Sequence, residues 1–148
     1  MTPPLIIGYG NTLRGDDGAG VHAAELARKE IAGIDILTVH ELQPELAETI
    51  ADRETVIFID ASAGTDILYC TQVGFGIPID PIRSHMLTPT QLLLLCLRLY
   101  GRAPETAYLI GIPANDFGFG ESLSPKTASF LEPCVHLIER LTRKVSQQ

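Results

Sequence analysis

The chain has 148 residues and 16.1 kDa, which predicts a single domain long enough to bury one real core. Its formal charge is −7 and it has no run of Lys or Arg, which excludes the basic patch that nucleic acid or an anionic membrane surface rewards. Three widely spaced cysteines, Cys70, Cys96 and Cys134, exclude a disulfide framework or a Cys-rich zinc site. They read as small buried apolar side chains in a reducing compartment.

The opening "MTPPLIIGYG" carries no basic stretch and only a short apolar run, so no signal peptide is expected and the protein reads as cytoplasmic. "LIIGYG" (5–10) is a buried strand ending in glycines. From Gly18 to about Ala32 a helix follows, with Val21, Ala24, Leu26 and Ile31 available for burial. "IDILTVH" (34–40) is a second strand, and "QPELAETIADR" (43–53) a short helix with Pro44 in its first turn. "TVIFIDA" (55–61) is a continuous apolar strand that stops at Asp60. "DILYCTQVG" (66–74) is a further strand.

Beyond a Pro/Gly-rich loop, "TPTQ" (88–91) has the form of a capping box, with Thr88 as N-cap and Gln91 at N3. Its helix runs to about Tyr100 and closes at Gly101; being apolar nearly all round, it is expected to be buried. The most apolar part, "LLLLCLRLYG", contains Arg98 and falls far short of the roughly 20 residues that cross a bilayer. "TAYLIGI" (106–112) is a strand. "SPKTASFLEPCVHLIERLTRK" (124–144) is a last helix capped by Ser124 and kinked by Pro133.

Strands alternating with helices predict an α/β fold with a largely parallel sheet covered on both faces. In such sheets functional groups gather at the carboxyl ends of the strands. Asp16 and Asp17 follow the first strand, Asp60 ends the third and His85 precedes the helix at 88, so all can reach one rim.

The stretch "GYGNTLRGDDGAG" (8–20) admits three readings. A dinucleotide turn begins with Gly8 and Gly10, and Glu41 follows at the place of a ribose-binding acid. However, the third glycine position holds Leu13, and each aspartate would repel a pyrophosphate by roughly 1 kcal/mol at about 5 Å. Helix capping accounts for one aspartate and leaves the other without a task. A metal site draws on one rim of the sheet: Asp17 or Asp16, Asp60, and the imidazole of His85, a donor set suited to nickel or zinc rather than calcium. Asp60 and His85 also have plainer readings, as a loop cap and as a surface histidine.

No G-x-S-x-G elbow or P-loop lysine occurs, and "HELQP" (40–44) lacks the second histidine of a zinc-protease helix. A hydrolase built on this chain would use water activated near a metal rather than a side-chain nucleophile.

The segments "IIGYGNTLRGDDGAG", "VIFIDA", "SHMLTPTQLLLLCLRLYG" and "LIGI…SLSP" together resemble the hydrogenase maturation endopeptidases, over nearly the whole chain. The resemblance implies a three-layer fold, with a twisted, mostly parallel five-stranded sheet between helices. It also implies removal of a C-terminal extension from the precursor of a nickel-iron hydrogenase large subunit, after nickel insertion. By position, the metal ligands it implies are Asp17, Asp60 and His85, with nickel carried in by the precursor. Asp16 becomes a cap or a supporting carboxylate, or a base for the attacking water. Matching Gln91 rather than the Ser-His pair would put Thr90 at the histidine position; His22, His40 and His136 lie in or beside other elements. Glycines 8, 10, 18 and 20 are expected to let a peptide backbone approach, and Asn11 either meets a carbonyl or holds the turn. The competing reading is a non-catalytic module of the same class that recognises nickel, the precursor or a nucleotide.

Overall fold

A computed structural model of the chain describes residues 2–75 and 87–146. Its five strands are β1 (Leu5–Tyr9), β2 (Asp35–Val39), β3 (Thr55–Ala63), β4 (Tyr69–Gln72) and β5 (Thr106–Ala114), in the order β2-β1-β3-β5-β4. All neighbours run parallel except β4, which lies antiparallel on β5. The helices are α1 (Ala19–Glu30), α2 (Leu46–Ile50), α3 (Pro89–Tyr100), α4 (Pro125–Ala128) and α5 (Leu131–Ser146), and a 3-10 turn spans Gly15–Gly18. No helix among the described residues is long and apolar enough to cross a membrane.

Alternation along the strands builds a core on each face of the sheet. Leu5, Ile7, Val56 and Phe58 face α2 and α3, whereas Ile6, Ile57, Ile59, Ile110 and Ile112 face α1 and α5. A continuous apolar run such as "VIFI" is what a strand covered on both sides requires. The expected three-layer α/β architecture is the one observed.

Several boundaries differ from the expectations, each for a physical reason. The buried face of α1 is Ala19, Gly20, Ala23, Ala24 and Ala27, while Val21, Leu26 and Ile31 are only partly covered. Small residues win there because the helix lies close on the sheet: a Cβ on Gly20 would strike the carbonyl of Ile59, and one on Gly8 the carbonyl of Gly20. The helix expected at 43–53 is only α2, flanked by turns whose hydrogen bonds reach back three residues.

β3 continues three residues past Asp60, because Ala61, Ser62 and Ala63 pair with Ile112, Pro113 and Ala114. The last helix is broken rather than kinked. The ring of Pro133 would collide with the carbonyl of residue 129 in a continuous helix, so α5 restarts at Leu131 with Pro133 in its first turn.

α3 begins with the expected capping box, Thr88 N donating to Gln91 Oε1 at 2.9 Å and Gln91 N to Thr88 Oγ1 at 3.2 Å. It ends at Gly101, whose φ of 71° suits glycine. Only its first half is buried; Leu97, Leu99 and Tyr100 are exposed.

Gly20→Ala is expected to lower stability by about 2–4 kcal/mol through the clash with Ile59. Gly33→Ala, at a left-handed position facing open space, should cost only about 1–2 kcal/mol. Urea unfolding of the two variants measures the difference, and equal losses would show that α1 does not need this close approach.

Candidate functional site

Because β1, β2, β3 and β5 are parallel, their carboxyl ends form one rim. The 3-10 turn bearing Asp16 and Asp17 packs against β3, and Gly20, just beyond it, lies against the carbonyls of Ile59 and Tyr9. Asp60 therefore follows directly on the strand position that this turn touches. Asp17 and Asp60, expected on one rim, are both there. His85 lies outside the described residues. Among those described, no three His, Cys, Asp or Glu side chains gather closely enough to hold a metal ion. Asp17 and Asp60 can supply carboxylate oxygens, and a third donor has to come from elsewhere.

The two adjacent aspartates have different surroundings. Asp16 is fully buried. Its Oδ2 accepts from the N–H groups of Asn115 and Asp116 (both 2.9 Å) and from the hydroxyls of Ser124 and Thr127 (both 2.8 Å). Its Oδ1 accepts from Ser124 N at 2.7 Å. Burial by itself raises the pKa, but the N–H groups of Asn115, Ser124 and Asp116 outweigh it and hold the carboxyl well below the usual carboxylate range. A carboxylate so occupied is a poor proton acceptor. The expectation of Asp16 as a free base for water thus conflicts with its environment; it is a structural anchor.

Asp17 is partly exposed, and its Oδ2 accepts from Asn11 N at 2.7 Å. Asn11 Oδ1 in turn accepts from Leu13 N at 2.9 Å, so of its two expected roles Asn11 takes that of holding the turn. Neither aspartate caps α1 through its side chain: the cap position is Gly18, with no side-chain bond. The capping expectation is corrected accordingly, since Asp16 reaches across to the cap of α4 instead.

The glycines are likewise used internally. Gly8 admits Gly20, Gly10 admits the carbonyl of Asp17, Gly18 admits Thr12, and Gly20 admits Ile59. These close approaches belong to the chain's own backbone and are not left for a peptide or a pyrophosphate.

Asp60 is half-buried and pairs with Gly111 across β3 and β5. The phenol of Tyr9, at the end of β1, shares a hydrogen bond with its carboxylate. Burial first, and the Asp60 charge second, push the Tyr9 hydroxyl far above its ordinary pKa, so it stays a proton donor to Asp60. Tyr69 lies over Gly111, where any side chain would collide with its ring, and its hydroxyl meets Ser62 Oγ at 3.1 Å. Sequence reasoning missed Tyr9, Tyr69 and Thr127, because no local pattern announces that Tyr9 meets Asp60, that Tyr69 lies over Gly111, or that Thr127 meets Asp16. Ser124 was legible as a helix cap, a role it keeps, but not as a donor to Asp16.

No cysteine among them is poised for attack. Cys96 and Cys134 are buried and all three are free; burial raises each thiol, that of Cys134 up to about 12.

No protein-family model matches the chain, and no curated protein matches it. Solved structures do. The hydrogenase maturating endopeptidase HybD from E. coli superposes with a TM-score of 0.79 at 21% identity, covering 97% of this chain and 94% of that one. The [NiFe] hydrogenase maturation protease HycI from Thermococcus kodakarensis gives 0.75 at 25% identity, covering 96% and 93%. HybD from the same organism gives 0.71 at 23%, covering 95% and 99%. The resemblance read from the motifs thus extends to the fold of nearly the whole chain.

Asp16→Asn is expected to cost about 3 kcal/mol or more, because an amide turns N–H groups toward N–H donors. The sign with pH follows from the lowered pKa in the folded chain. The contribution of Asp16 is complete above the unfolded value near 3.9 and is lost as pH falls below it. Denaturant unfolding between pH 7 and pH 3 should therefore show a shallower acid slope in Asp16→Asn than in the unaltered protein.

Proposed function

We propose that this chain is the processing endopeptidase of a nickel-iron hydrogenase large subunit, removing a C-terminal extension from the precursor once nickel has been inserted. The observation that supports the reading is the placement of Asp17 and Asp60, from separate elements in contact, on the carboxyl rim of a fold shared with such endopeptidases.

Nickel belongs to the precursor and arrives as part of the substrate. Asp17 and Asp60 offer it two carboxylates and His85 an imidazole, a mixed oxygen and nitrogen set suited to a borderline metal. A precursor without the ion offers these groups nothing to bind, so the ion serves as a tag of completed insertion. Close to a carbonyl or a water, the same charge favours attack on the peptide bond. Within the chain, Tyr9 donates to Asp60 and Asn11 to Asp17, which fixes the direction of each carboxylate. Asp16 takes no proton; it locks the turn that aims Asp17.

Incubation of nickel-loaded precursor with the chain, followed by gel electrophoresis, tests the reading directly. The precursor band should shift to the shorter product, and precursor lacking nickel should not shift. Asp17→Asn, Asp60→Asn and His85→Ala should each slow cleavage by about 100-fold or more while the fold is retained. Cleavage at the unaltered rate in the two aspartate variants would remove the proposed site. Binding of loaded precursor without cleavage would instead favour the non-catalytic module.

A further inference from the structure

Beside Asp17 the chain displays an apolar surface that its own core does not use. Phe119 is 90% exposed, Leu13 57% and Phe117 38%, on two loops that meet at the same rim. Single exposed apolar residues are ordinary, but a cluster bordering a polar site marks a contact surface.

These residues stand on braced backbone. Gly15 N donates to Gly120 O at 2.8 Å, Gly120 N to Leu13 O at 2.9 Å, and Asp16 N to Asp116 O at 2.8 Å. Gly118 N donates to Asp116 Oδ1 at 3.0 Å, and Asp16 ties the start of the second loop from below. The guanidinium of Arg14 lies 5.1 Å from the Phe119 ring centre and holds one face of it. Aromatic side chains fixed in this way lose little further freedom when a partner covers them, which is the economy of a preformed binding surface.

Resting on the processing reading above, we infer that Leu13, Phe117 and Phe119 form the platform on which an extended apolar segment of the precursor lies as its metal reaches Asp17 and Asp60. Leu13 is four residues from Asp17 and joined to it through Asn11, so a segment that covers this loop pair lies beside Asp17. Among the described residues the cation at the platform is Arg14, stacked on Phe119, which leaves ring and aliphatic surface to be covered. Apolar side chains match that surface, and an acidic segment would meet the charge of Asp17 and of the −7 chain as a whole.

The test compares Phe119→Ser and Leu13→Ser with Leu99→Ser in the nickel-loaded precursor assay, at several precursor concentrations. Leu99 is equally exposed, at 59%, but lies at the end of α3 toward the opposite rim. Phe119→Ser should raise KM about tenfold with kcat within about twofold, Leu13→Ser should act in the same direction, and Leu99→Ser should change neither. Unaltered KM in Phe119→Ser, or an equal rise in Leu99→Ser, overturns the platform while leaving the processing reading intact. Sedimentation of the unaltered chain as a dimer that Phe119→Ser dissociates assigns the surface to a second copy and also overturns it. Absence of cleavage by the unaltered chain strikes the processing reading itself, a result distinct from cleavage with unchanged KM.

Discussion

The rim of this molecule depends on one buried carboxylate. Asp16 gathers three backbone N–H groups and two hydroxyls from residues 115–127 onto a turn at the other end of the sequence. An unpaired charge at a position of zero exposure costs several kcal/mol; with both its oxygens engaged, it becomes a tie between segments. The turn is thereby held against β3, and its neighbour Asp17 faces the rim. Of the two adjacent aspartates, one is buried as a structural tie and the other stays partly exposed at the rim.

A second constraint is closeness. The small face of α1 and the paired glycines Gly8 and Gly20 let the helix sit directly on β1 and β3. The N-terminal turn is then level with the strand ends and not above them. Larger residues would lift the helix and carry the turn that bears Asp17 away from β3. Helix packing and site geometry are thus set by the same few residues.

Much of this architecture was legible. Apolar runs gave the buried strands, Thr88 and Gln91 gave the start of α3, and Gly101 its end, because each rests on local chemistry. The burial face of α1 was legible only in part: Ala24 is buried and Leu26 and Ile31 pack against the core, but close packing gives the fully buried positions to small residues. The end of β3 was placed at Asp60, a poor strand residue, because the pairing with β5 that carries the strand onward is not local. The adjacency of Asp16 and Asp17 was visible, but their division of labour was not. It is set by Asn115, Asp116, Ser124 and Thr127, which lie about 100 residues away. His85 falls outside the described residues, so its placement rests on the sequence motif.

The bonds that close on Asp16 span separations of 99 to 111 positions, most of the length of the chain. During synthesis the first aspartate leaves the ribosome long before its donors exist, and the turn beside it has nothing to hold it. Contacts so remote form late, after loop closure over a great distance. The rim that carries Asp17 is consequently braced only after residues 115–127 have been made and have folded back onto the first turn.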